Sequence, residues 1–364
     1  MLNRPAELRH AFDADRLWEW LRPLVSDATQ AVPIAQFDAG QSNPTYLIDG
    51  GTRKLVLRRK PPGTLLPSAH AVEREFRIMR ALAATRVPVP RCLALCEDPD
   101  VIGSAFYVME YVEGRIFRDP ALPSLEPAER GPIYTEMNRV IAELHSLDPN
   151  DLGLADYGRA GNYIERQVQR WTKQYRASQT EDIPAMEHLI AWLPRHVPPG
   201  DETRIVHGDY RLDNVIFDPH EPRIRAVLDW ELSTLGHPLA DFAYHCLVWY
   251  RDTNTNQGLL GLNLEALALP EVGAYLKEYC QRLGRPVVPA REFEYYIVFN
   301  MFRLVGILQG VAARAIQGNA SSGRAALLGS EARPLAEAAW RRVRLLTASE
   351  VNGRGRGYGL RAIC

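Results

Sequence analysis

The sequence is poor in three things: net charge, cysteine and long apolar runs. Its 43 Lys and Arg residues nearly balance 44 Asp and Glu residues, so the formal net charge is -1 and the overall field favours neither nucleic acid nor a membrane surface as a partner. Five cysteines, an odd number, do not indicate a disulfide framework. Cys92 and Cys96 have no second Cys/His pair near them in the sequence, so we interpret them as thiols rather than as half of a zinc site.

The N-terminus and the apolar segments also lack targeting signals. The first residues carry the charged Arg4, Glu7 and Arg9 and no apolar core, so we expect no signal peptide. No apolar run reaches the roughly 18 residues of a membrane span. These observations predict a cytoplasmic protein without a membrane partner. A homodimer stays open, because no sequence feature decides the oligomeric state.

Length and composition indicate a globular protein of two parts. At 364 residues the chain exceeds what one hydrophobic core usually supports. Its apolar share of 46% and its charged share of 24% are typical of soluble globular proteins. Two compact parts are therefore expected.

The polar residues of one stretch, 205–241, have the spacing of a phosphoryl-transfer site. His207 and Asp209 are followed by Asn214, five residues after the aspartate, and then by Asp229 at the end of an apolar run. Amide and carboxylate oxygens suit Mg²⁺, which binds one or two protein groups together with substrate phosphates. We therefore predict that Asn214 and Asp229 hold Mg²⁺ and that Asp209 faces an acceptor hydroxyl.

Two short apolar runs in this stretch predict a β-hairpin. Val215–Phe217 and Ile224–Leu228 are rich in β-branched residues and are separated by a turn containing Pro, Asp and His. One strand starts beside Asn214 and the other ends at Asp229. Pairing would bring the amide and the carboxylate to the same end of the hairpin.

The order His-x-Asp-x-x-x-x-Asn, followed by a later aspartate, resembles the catalytic and metal-binding loops of the protein-kinase-like superfamily. With Gly208 after the histidine, and with Asp229-Trp230-Glu231 in place of Asp-Phe-Gly, it is similar to the aminoglycoside phosphotransferase family of small-molecule kinases. The resemblance implies an α+β, two-lobed fold that binds ATP and Mg²⁺ between its lobes. Residues 1–113 would form the N-lobe, an antiparallel sheet plus a helix, and residues 114–364 a larger, mainly helical C-lobe with the acceptor-binding helices. On the residues alone, His-Gly-Asp can also be a plain turn.

The strand–turn–strand segment 37–48 resembles the loop that covers the ATP phosphates. It has a single glycine, Gly40, where a protein kinase has three. Ser42, Asn43 and backbone N–H groups would then have to hold the phosphates. Taken alone, the segment equally suits an ordinary hairpin.

Arg58 occupies the position at which a kinase carries the lysine that holds the inner phosphates. Arginine can clamp phosphate with two hydrogen bonds, so the exchange is chemically sensible. The resemblance implies that Glu75, on a helix predicted over 69–82, pairs with Arg58. On the residues alone, Arg58 could lie on a solvated basic edge and Glu75 could be a surface glutamate.

The apolar segment 105–114 resembles the hinge on which adenine lies. In that pattern the Glu110 carbonyl and the Val112 amide contact the adenine edge, and Met109 stands behind the base. Backbone contacts leave no side-chain pattern, so these assignments depend on the resemblance. Gly114 is the predicted boundary between the lobes.

Several basic residues suggest contacts with anions. We predict that Arg211, two residues after Asp209, offsets charge on the transferring phosphoryl group. Arg166, Arg170 and Lys173 recur at helical spacing and form either an anion site or a solvated face. Asp241 resembles the aspartate that opens a C-lobe helix and braces the catalytic loop.

Five further segments resemble one branch of this family. That branch consists of the kinase domain joined to some acyl-CoA dehydrogenases, family members 10 and 11, and of the free-standing bacterial relatives of this domain. The five segments read NPTY, VLRRKPPG, GNYIERQVQRW, LDWELSTLGHPLAD and FRLVGILQGVAARAIQGNASS. For that branch the implied acceptor is the hydroxyl of a hydroxyacyl-CoA, such as a 4-hydroxyacyl-CoA. An anionic acceptor of this kind agrees with the basic helix stripe and with the arginine-rich, lysine-free segment 291–364.

Two other functions stay open at this point. One is a kinase for a different small acceptor, such as an aminoglycoside, choline or a sugar. The other is a nucleotide-binding scaffold without catalysis. This function stays open because Arg58 replaces the kinase lysine and because the phosphate-covering loop has only one glycine. Nucleic-acid binding is disfavoured because basic and aromatic residues do not alternate over a long stretch. Protein phosphorylation is disfavoured because no Ala-Pro-Glu segment follows Asp229.

Overall fold

The computed structural model describes residues 12–25, 34–37, 43–49, 53–61, 70–253, 258–316 and 325–351. The strands are β1 Ile34–Gln36, β2 Thr45–Asp49, β3 Lys54–Arg59, β4 Cys92–Cys96, β5 Phe106–Glu110, β6 Arg204–Val206, β7 Val215–Phe217, β8 Ile224–Val227 and β9 Thr234–Gly236. The helices are α1 Ala14–Leu21, α2 Val72–Leu82, α3 Pro99–Ile102, α4 Pro127–Ser146, α5 Tyr163–Ser178, α6 Pro184–Trp192, α7 Pro238–His245, α8 Val272–Arg282, α9 Ala290–Ile316, α10 Ala325–Ser330 and α11 Ala332–Val351.

The chain divides into two compact units. The first unit comprises Met1–Ile116 together with Leu152–Leu154 and Asp213–Ser233, and the second comprises the rest. The first unit therefore includes the β7–β8 hairpin, although this hairpin lies far along the chain. The lobe boundary between residues 113 and 114 stays a prediction.

A five-stranded antiparallel sheet in the order β1-β2-β3-β5-β4 forms the centre of the first unit. Side chains alternate between its faces, and the pairs Leu57↔Val108 and Arg58↔Tyr107 lie on opposite sides. Leu57 and Val108 belong to an apolar core together with the buried side of α1. Arg58 and Tyr107 are directed to the other face. The register of the sheet thus sets the direction of Arg58.

Asp13 followed by Leu17, Trp20, Leu21 and Leu24 at helical spacing predicts an amphipathic helix capped by Asp13, and helix α1 begins there. The carboxylate of Asp13 accepts hydrogen bonds of 3.0 Å from the backbone N–H groups of Asp15 and Arg16, which caps the helix. Leu17 and Leu21, one turn apart, are both buried in the core of the unit. The predicted amphipathic packing helix is therefore confirmed.

The predicted hairpin is also confirmed. β7 and β8 are antiparallel, with Val215 opposite Val227. The backbone N–H of Leu228 donates a 2.8 Å hydrogen bond to the carbonyl of Asn214. Asn214 therefore lies at the same end of the hairpin as Asp229, the residue that follows Leu228.

The second unit is mainly helical, with the small β6–β9 pair as its only sheet among the described residues. Its central element is α9, which packs against α5, α7, α10 and α11. Asn300 lies fully buried within α9, and its side-chain amide donates 2.8 Å to the carbonyl of Ala240. The apolar spacing predicts a helix over 299–322. The structure begins this helix nine residues earlier, at Ala290, and residues 317–322 lie outside the described part of the chain.

Helix α9 differs from the expectation that no segment is long and apolar enough to span a membrane. By length and composition it is apolar enough to cross a membrane, although no run of that kind was expected from the sequence. However, 72% of its most apolar window is buried inside the protein. Such burial is typical of the core helix of a globular fold, because neighbouring helices cover its apolar side chains.

Candidate functional site

The structure brings Arg58 and Glu75 together in the first unit. Nε of Arg58 lies 2.9 Å from Oε2 of Glu75, and the two residues are 8% and 1% exposed. The alternatives of a solvated basic edge and a surface glutamate are therefore wrong. Burial alone would lower the pKa of Arg58, but the attraction of Glu75, Asp229 and Glu231 outweighs burial and raises that pKa.

Glu75 is itself fixed by two neutral side chains. Asn43 Nδ2 donates a 2.8 Å hydrogen bond to Oε1 of Glu75, and the hydroxyl of Tyr107 donates 3.1 Å to Oε2. The amide oxygen of Asn43 lies 2.9 Å from Nδ1 of His70. Asn43 is fully buried, so its side chain orients the glutamate. Its phosphate-binding role stays a prediction, and the predicted Gly40 and Ser42 lie outside the described residues.

The same guanidinium also contacts the predicted metal ligand. Nη2 of Arg58 lies 2.8 Å from Oδ1 of Asp229 and 3.6 Å from Oε2 of Glu231. Sequence reasoning did not select Glu231. The available signal was a carboxylate two residues after Asp229, where the Asp-Phe-Gly pattern has glycine.

A sharp turn after β8 positions Asp229. Its φ angle of +64° lies in the left-handed region, which Asp tolerates better than most residues. The next residue, Trp230, is buried and donates from Nε1 to the carbonyl of Val227 at 3.0 Å, which anchors the turn. The side chain of Asp229 is 33% exposed, so a ligand can reach it.

The donor set at this end of the hairpin fits Mg²⁺. Asn214 supplies an amide and Asp229 a carboxylate, both hard oxygen ligands, and phosphate oxygens complete such a site. Within the described ranges no group of three or more His, Cys, Asp or Glu side chains could hold a metal.

In the second unit, Asp241 braces the loop before Asp209, as predicted. Its two carboxylate oxygens accept 2.8 Å hydrogen bonds from the backbone N–H groups of His207 and Gly208, and Nε2 of His145 lies 3.2 Å away. Burial alone would raise the pKa of Asp241, but the interactions with His145 and His207 outweigh it and lower the pKa. Asp241 therefore stays ionised and fixes the loop.

Asp209 lies at the end of this loop with two partners of its own. The hydroxyl of Tyr244 donates a 2.7 Å hydrogen bond to Oδ1, and Nε of Arg211 lies 3.2 Å from the same oxygen. Burial raises the pKa of Tyr244, so this phenol keeps its proton at neutral pH. The side chain of Asp209 is 19% exposed and can meet an acceptor.

Arg303 supports both the loop and the tyrosine. Its Nη2 donates 2.8 Å to the carbonyl of Gly208, and its guanidinium lies 4.8 Å from the centre of the Tyr244 ring. Sequence reasoning missed both roles. Two signals were available: an arginine among the buried apolar residues of α9, and a tyrosine three residues after Asp241, on the same side of α7.

The predicted hinge residues lie at the end of β5. Met109 is buried, Glu110 is exposed and ends the strand, and Val112 follows in an irregular segment. Gly114 then passes close to β7, because a Cβ at this position would lie 2.1 Å from the carbonyl oxygen of Phe217. The adenine contacts stay predictions.

The basic stripe on α5 lies toward solvent. Arg166 donates 2.6 Å to the carbonyl of Arg159, and the guanidinium of Arg170 lies 5.7 Å from the Trp171 ring. Lys173 is exposed. This arrangement agrees with a solvated face, and a contact with an anionic acceptor stays a prediction.

One protein-family model matches more than half of the chain. Residues 33–280 match the phosphotransferase enzyme family, APH. Among curated proteins, acyl-CoA dehydrogenase family member 10 of Mus musculus is 50% identical over 341 residues, which are 93% of this chain and 32% of that protein. Family member 11 of Homo sapiens is 42% identical over 335 residues, 90% of this chain and 43% of that protein. The chain thus spans less than half the length of these relatives.

Solved structures give the same fold. A Ralstonia eutropha JMP134 protein with a provisional assignment as an aminoglycoside phosphotransferase is 50% identical, with a TM-score of 0.84 over 92% of this chain and 99% of that chain. A thermostable mutant of aminoglycoside phosphotransferase APH(4)-Ia, in complex with AMP-PNP and hygromycin B, is 16% identical, with a TM-score of 0.59 over 90% of this chain and 99% of that chain. This second similarity shows the kinase-like fold alone.

Proposed function

The chain belongs to the phosphotransferase enzyme family, APH, and we propose that it is a small-molecule kinase that transfers the γ-phosphate of ATP to the hydroxyl of a hydroxyacyl-CoA. The observation that carries the proposal is the placement of Asp209. Its Oδ1 accepts a 2.7 Å hydrogen bond from the hydroxyl of Tyr244 and lies 3.2 Å from Nε of Arg211. The side chain of Asp209 is also partly exposed to solvent. A carboxylate held in this way suits a general base for an alcohol.

In the proposed reaction Asp209 takes the proton of the acceptor hydroxyl. The hydroxyl oxygen forms a bond to the γ-phosphorus as the bond from that phosphorus to the β–γ bridging oxygen breaks, and ADP leaves. Arg211 offsets negative charge on the phosphoryl group during transfer. Mg²⁺, held by Asn214 and Asp229, would supply further positive charge to the phosphates.

Arg58 has a separate role, which is to bind phosphates of ATP. We assign it to the inner phosphates of ATP, with Glu75 fixing its direction through the 2.9 Å contact. The 2.8 Å contact between Arg58 and Asp229 joins a phosphate-binding cation to a metal-binding carboxylate. With both ligands bound, Arg58 would hold phosphate oxygens and Asp229 would hold Mg²⁺, which would supply positive charge at the phosphates.

The choice of a hydroxyacyl-CoA depends on the relatives and on charge. The curated relatives at 42–50% identity are named as acyl-CoA dehydrogenase family members, which points to an acyl-CoA ligand. Arg211, 39% exposed beside Asp209, disfavours a polycation such as an aminoglycoside. A cytoplasmic location is also part of the proposal.

The test is Mg²⁺-dependent transfer of phosphate from ATP to 4-hydroxyvaleryl-CoA, choline and kanamycin. We expect transfer to the acyl-CoA alone, and a fall in kcat of about 10²–10⁴-fold in Asp209→Asn with ATP binding retained. Asp151→Asn, an exposed aspartate in the same unit, is the matched control. Transfer to choline or kanamycin but not to the acyl-CoA would overturn the acceptor assignment, and full activity in Asp209→Asn would overturn the mechanism.

A further inference from the structure

A cavity of about 270 Å³ lies in the second unit, next to the partners of Asp209. Arg211 and Tyr244 form part of its lining. Both side chains contact Oδ1 of Asp209, at 3.2 Å and 2.7 Å. A molecule in this cavity therefore lies against the two groups that hold the proposed base.

Much of the remaining lining of the cavity is apolar. Helix α9 contributes a single stripe at the i, i+3, i+4, i+7 spacing, so one face of the helix forms this side. The stripe consists of Leu304, Ile307, Leu308 and Val311. Except for Leu308, these side chains are partly exposed, although most of α9 is buried. Covering them would remove apolar surface from water, which favours a hydrocarbon ligand.

The polar groups of the lining do not suit a polyhydroxylated or polycationic ligand. Arg251 is already paired with Glu331 at 3.0 Å. His245 lies 2.8 Å from the hydroxyl of Tyr275, and burial lowers its pKa to about 4, so the ring is neutral at pH 7. A sugar with many hydroxyl or ammonium groups would lose hydration along the apolar stripe without replacement hydrogen bonds.

We propose that this cavity, the tail pocket, binds the hydrocarbon tail that the acceptor carries beyond its hydroxyl. The inference rests on the proposed function and deepens it: the preferred acceptor is a hydroxyl placed within an alkyl chain, not at the end of a short one. A dry cavity of about 150 Å³ holds the six carbons of benzene, so a cavity of about 270 Å³ has room for a tail of up to about ten carbons. The tail pocket would hold this chain while the hydroxyl meets Asp209.

The first test compares two acceptors on the unmodified protein. 4-Hydroxyvaleryl-CoA has a methyl group beyond its hydroxyl, and 4-hydroxydecanoyl-CoA has a hexyl group. We expect kcat/KM for the decanoyl compound to be higher by about ten-fold or more, since even one methylene in an apolar pocket changes kcat/KM by about that factor. Equal values, or a preference for the valeryl compound, would overturn the tail pocket while leaving the kinase proposal intact. Absence of transfer to both compounds would instead overturn the proposed function.

The second test fills the pocket. Ile307→Trp places a larger side chain on the stripe and should lower kcat/KM about ten-fold for 4-hydroxydecanoyl-CoA, with little change for 4-hydroxyvaleryl-CoA and in the KM for ATP. Ile316→Trp makes the same change on the same helix at a residue that is 76% exposed and outside the cavity, and should behave as wild type.

A third variant keeps the test decisive if Ile307→Trp does not fold. Val311→Ala enlarges the same wall and should shift the optimum toward longer tails, measured across a series of 4-hydroxyacyl-CoAs. A loss of activity that is equal for all tail lengths in either variant would show that the stripe is structural and would overturn the proposal. A length-dependent change supports it.

Discussion

The hydroxyl of Tyr244 donates a 2.7 Å hydrogen bond to Oδ1 of Asp209. This bond fixes the carboxylate from α7, an element outside the loop that carries Asp209. The phenol is held in turn beneath the guanidinium of Arg303, 4.8 Å from its ring centre. The direction of the proposed base is thus set by side chains from two helices.

Replacing Tyr244 by Phe should therefore impair turnover without impairing nucleotide binding. The variant keeps the ring under Arg303 and removes only the donor to a charged group, a hydrogen bond typically worth about 1.5–3 kcal/mol. We expect kcat to fall about ten-fold and the KM for ATP to stay unchanged in steady-state assays. Tyr295→Phe removes a similar buried donor, 3.0 Å from the carbonyl of Leu193, and should leave kcat unchanged. An equal fall in both variants would assign the effect to packing.

Replacing Glu75 by Gln should weaken both the first unit and the binding of ATP. The variant removes the charge opposite Arg58 in a pair that is almost fully buried. Breaking a buried pair of this kind costs about 3–5 kcal/mol, which urea unfolding measures, and the KM for ATP should rise about ten-fold. Glu73→Gln is the control on the same helix, because Glu73 pairs with Lys60 at 2.8 Å in a partly exposed position and should cost less than the Glu75 variant, about 1 kcal/mol. Identical losses in the two variants would contradict a specific role for Glu75.

Two buried histidines should make the protein lose stability in mild acid. Burial lowers the pKa of both His237 and His245 to about 4, whereas an unfolded histidine has a pKa of about 6.5. The unfolded state therefore binds more protons than the folded state between these values. The stability contribution is complete above pH of about 6.5 and is lost as pH falls toward about 4, by up to about 3 kcal/mol for each group.

Urea unfolding at several pH values between these limits measures this loss. His237→Asn should reduce the slope of unfolding free energy against pH over the window, since the variant removes one of the two titrating groups. The same substitution at His220, an exposed residue in the turn between β7 and β8, should leave the slope unchanged. A slope that His237→Asn does not alter would refute this assignment.

Replacing Gly114 by Ala should destabilise the first unit, because the new Cβ would lie 2.1 Å from the carbonyl oxygen of Phe217 and 2.5 Å from Cγ2 of Ile216. Backbone atoms must then shift, and we expect a loss of about 1–3 kcal/mol in thermal or urea unfolding. In Gly131→Ala, within α4, the new Cβ has only a 3.4 Å neighbour, so that variant should gain up to about 1 kcal/mol. A neutral Gly114→Ala would mean that β7 can move away.

Local sequence patterns predict most of the elements that position the site. The hairpin follows from two β-branched runs and a turn, α1 from an apolar stripe after Asp13, and α2 from apolar residues at helical spacing. Each pattern depends on residues within one or two turns of one another, so the chain specifies it locally. Helix starts are harder to place from such patterns. Helix α9 begins nine residues before the predicted segment, and its first turns carry Arg291, Glu292 and Glu294 among apolar residues, which dilutes the apolar pattern there.

The sequence by itself determined the order of the chemical groups: Asp209, then Asn214, then the hairpin that ends at Asp229. Only the tertiary structure decided which side chains hold them. The 2.8 Å contact from Arg58 reaches Asp229 across 171 positions, and Arg303 reaches Gly208 across 95. Sheet register and helix packing select such partners, because these long-range contacts form only when separate elements bury their faces together.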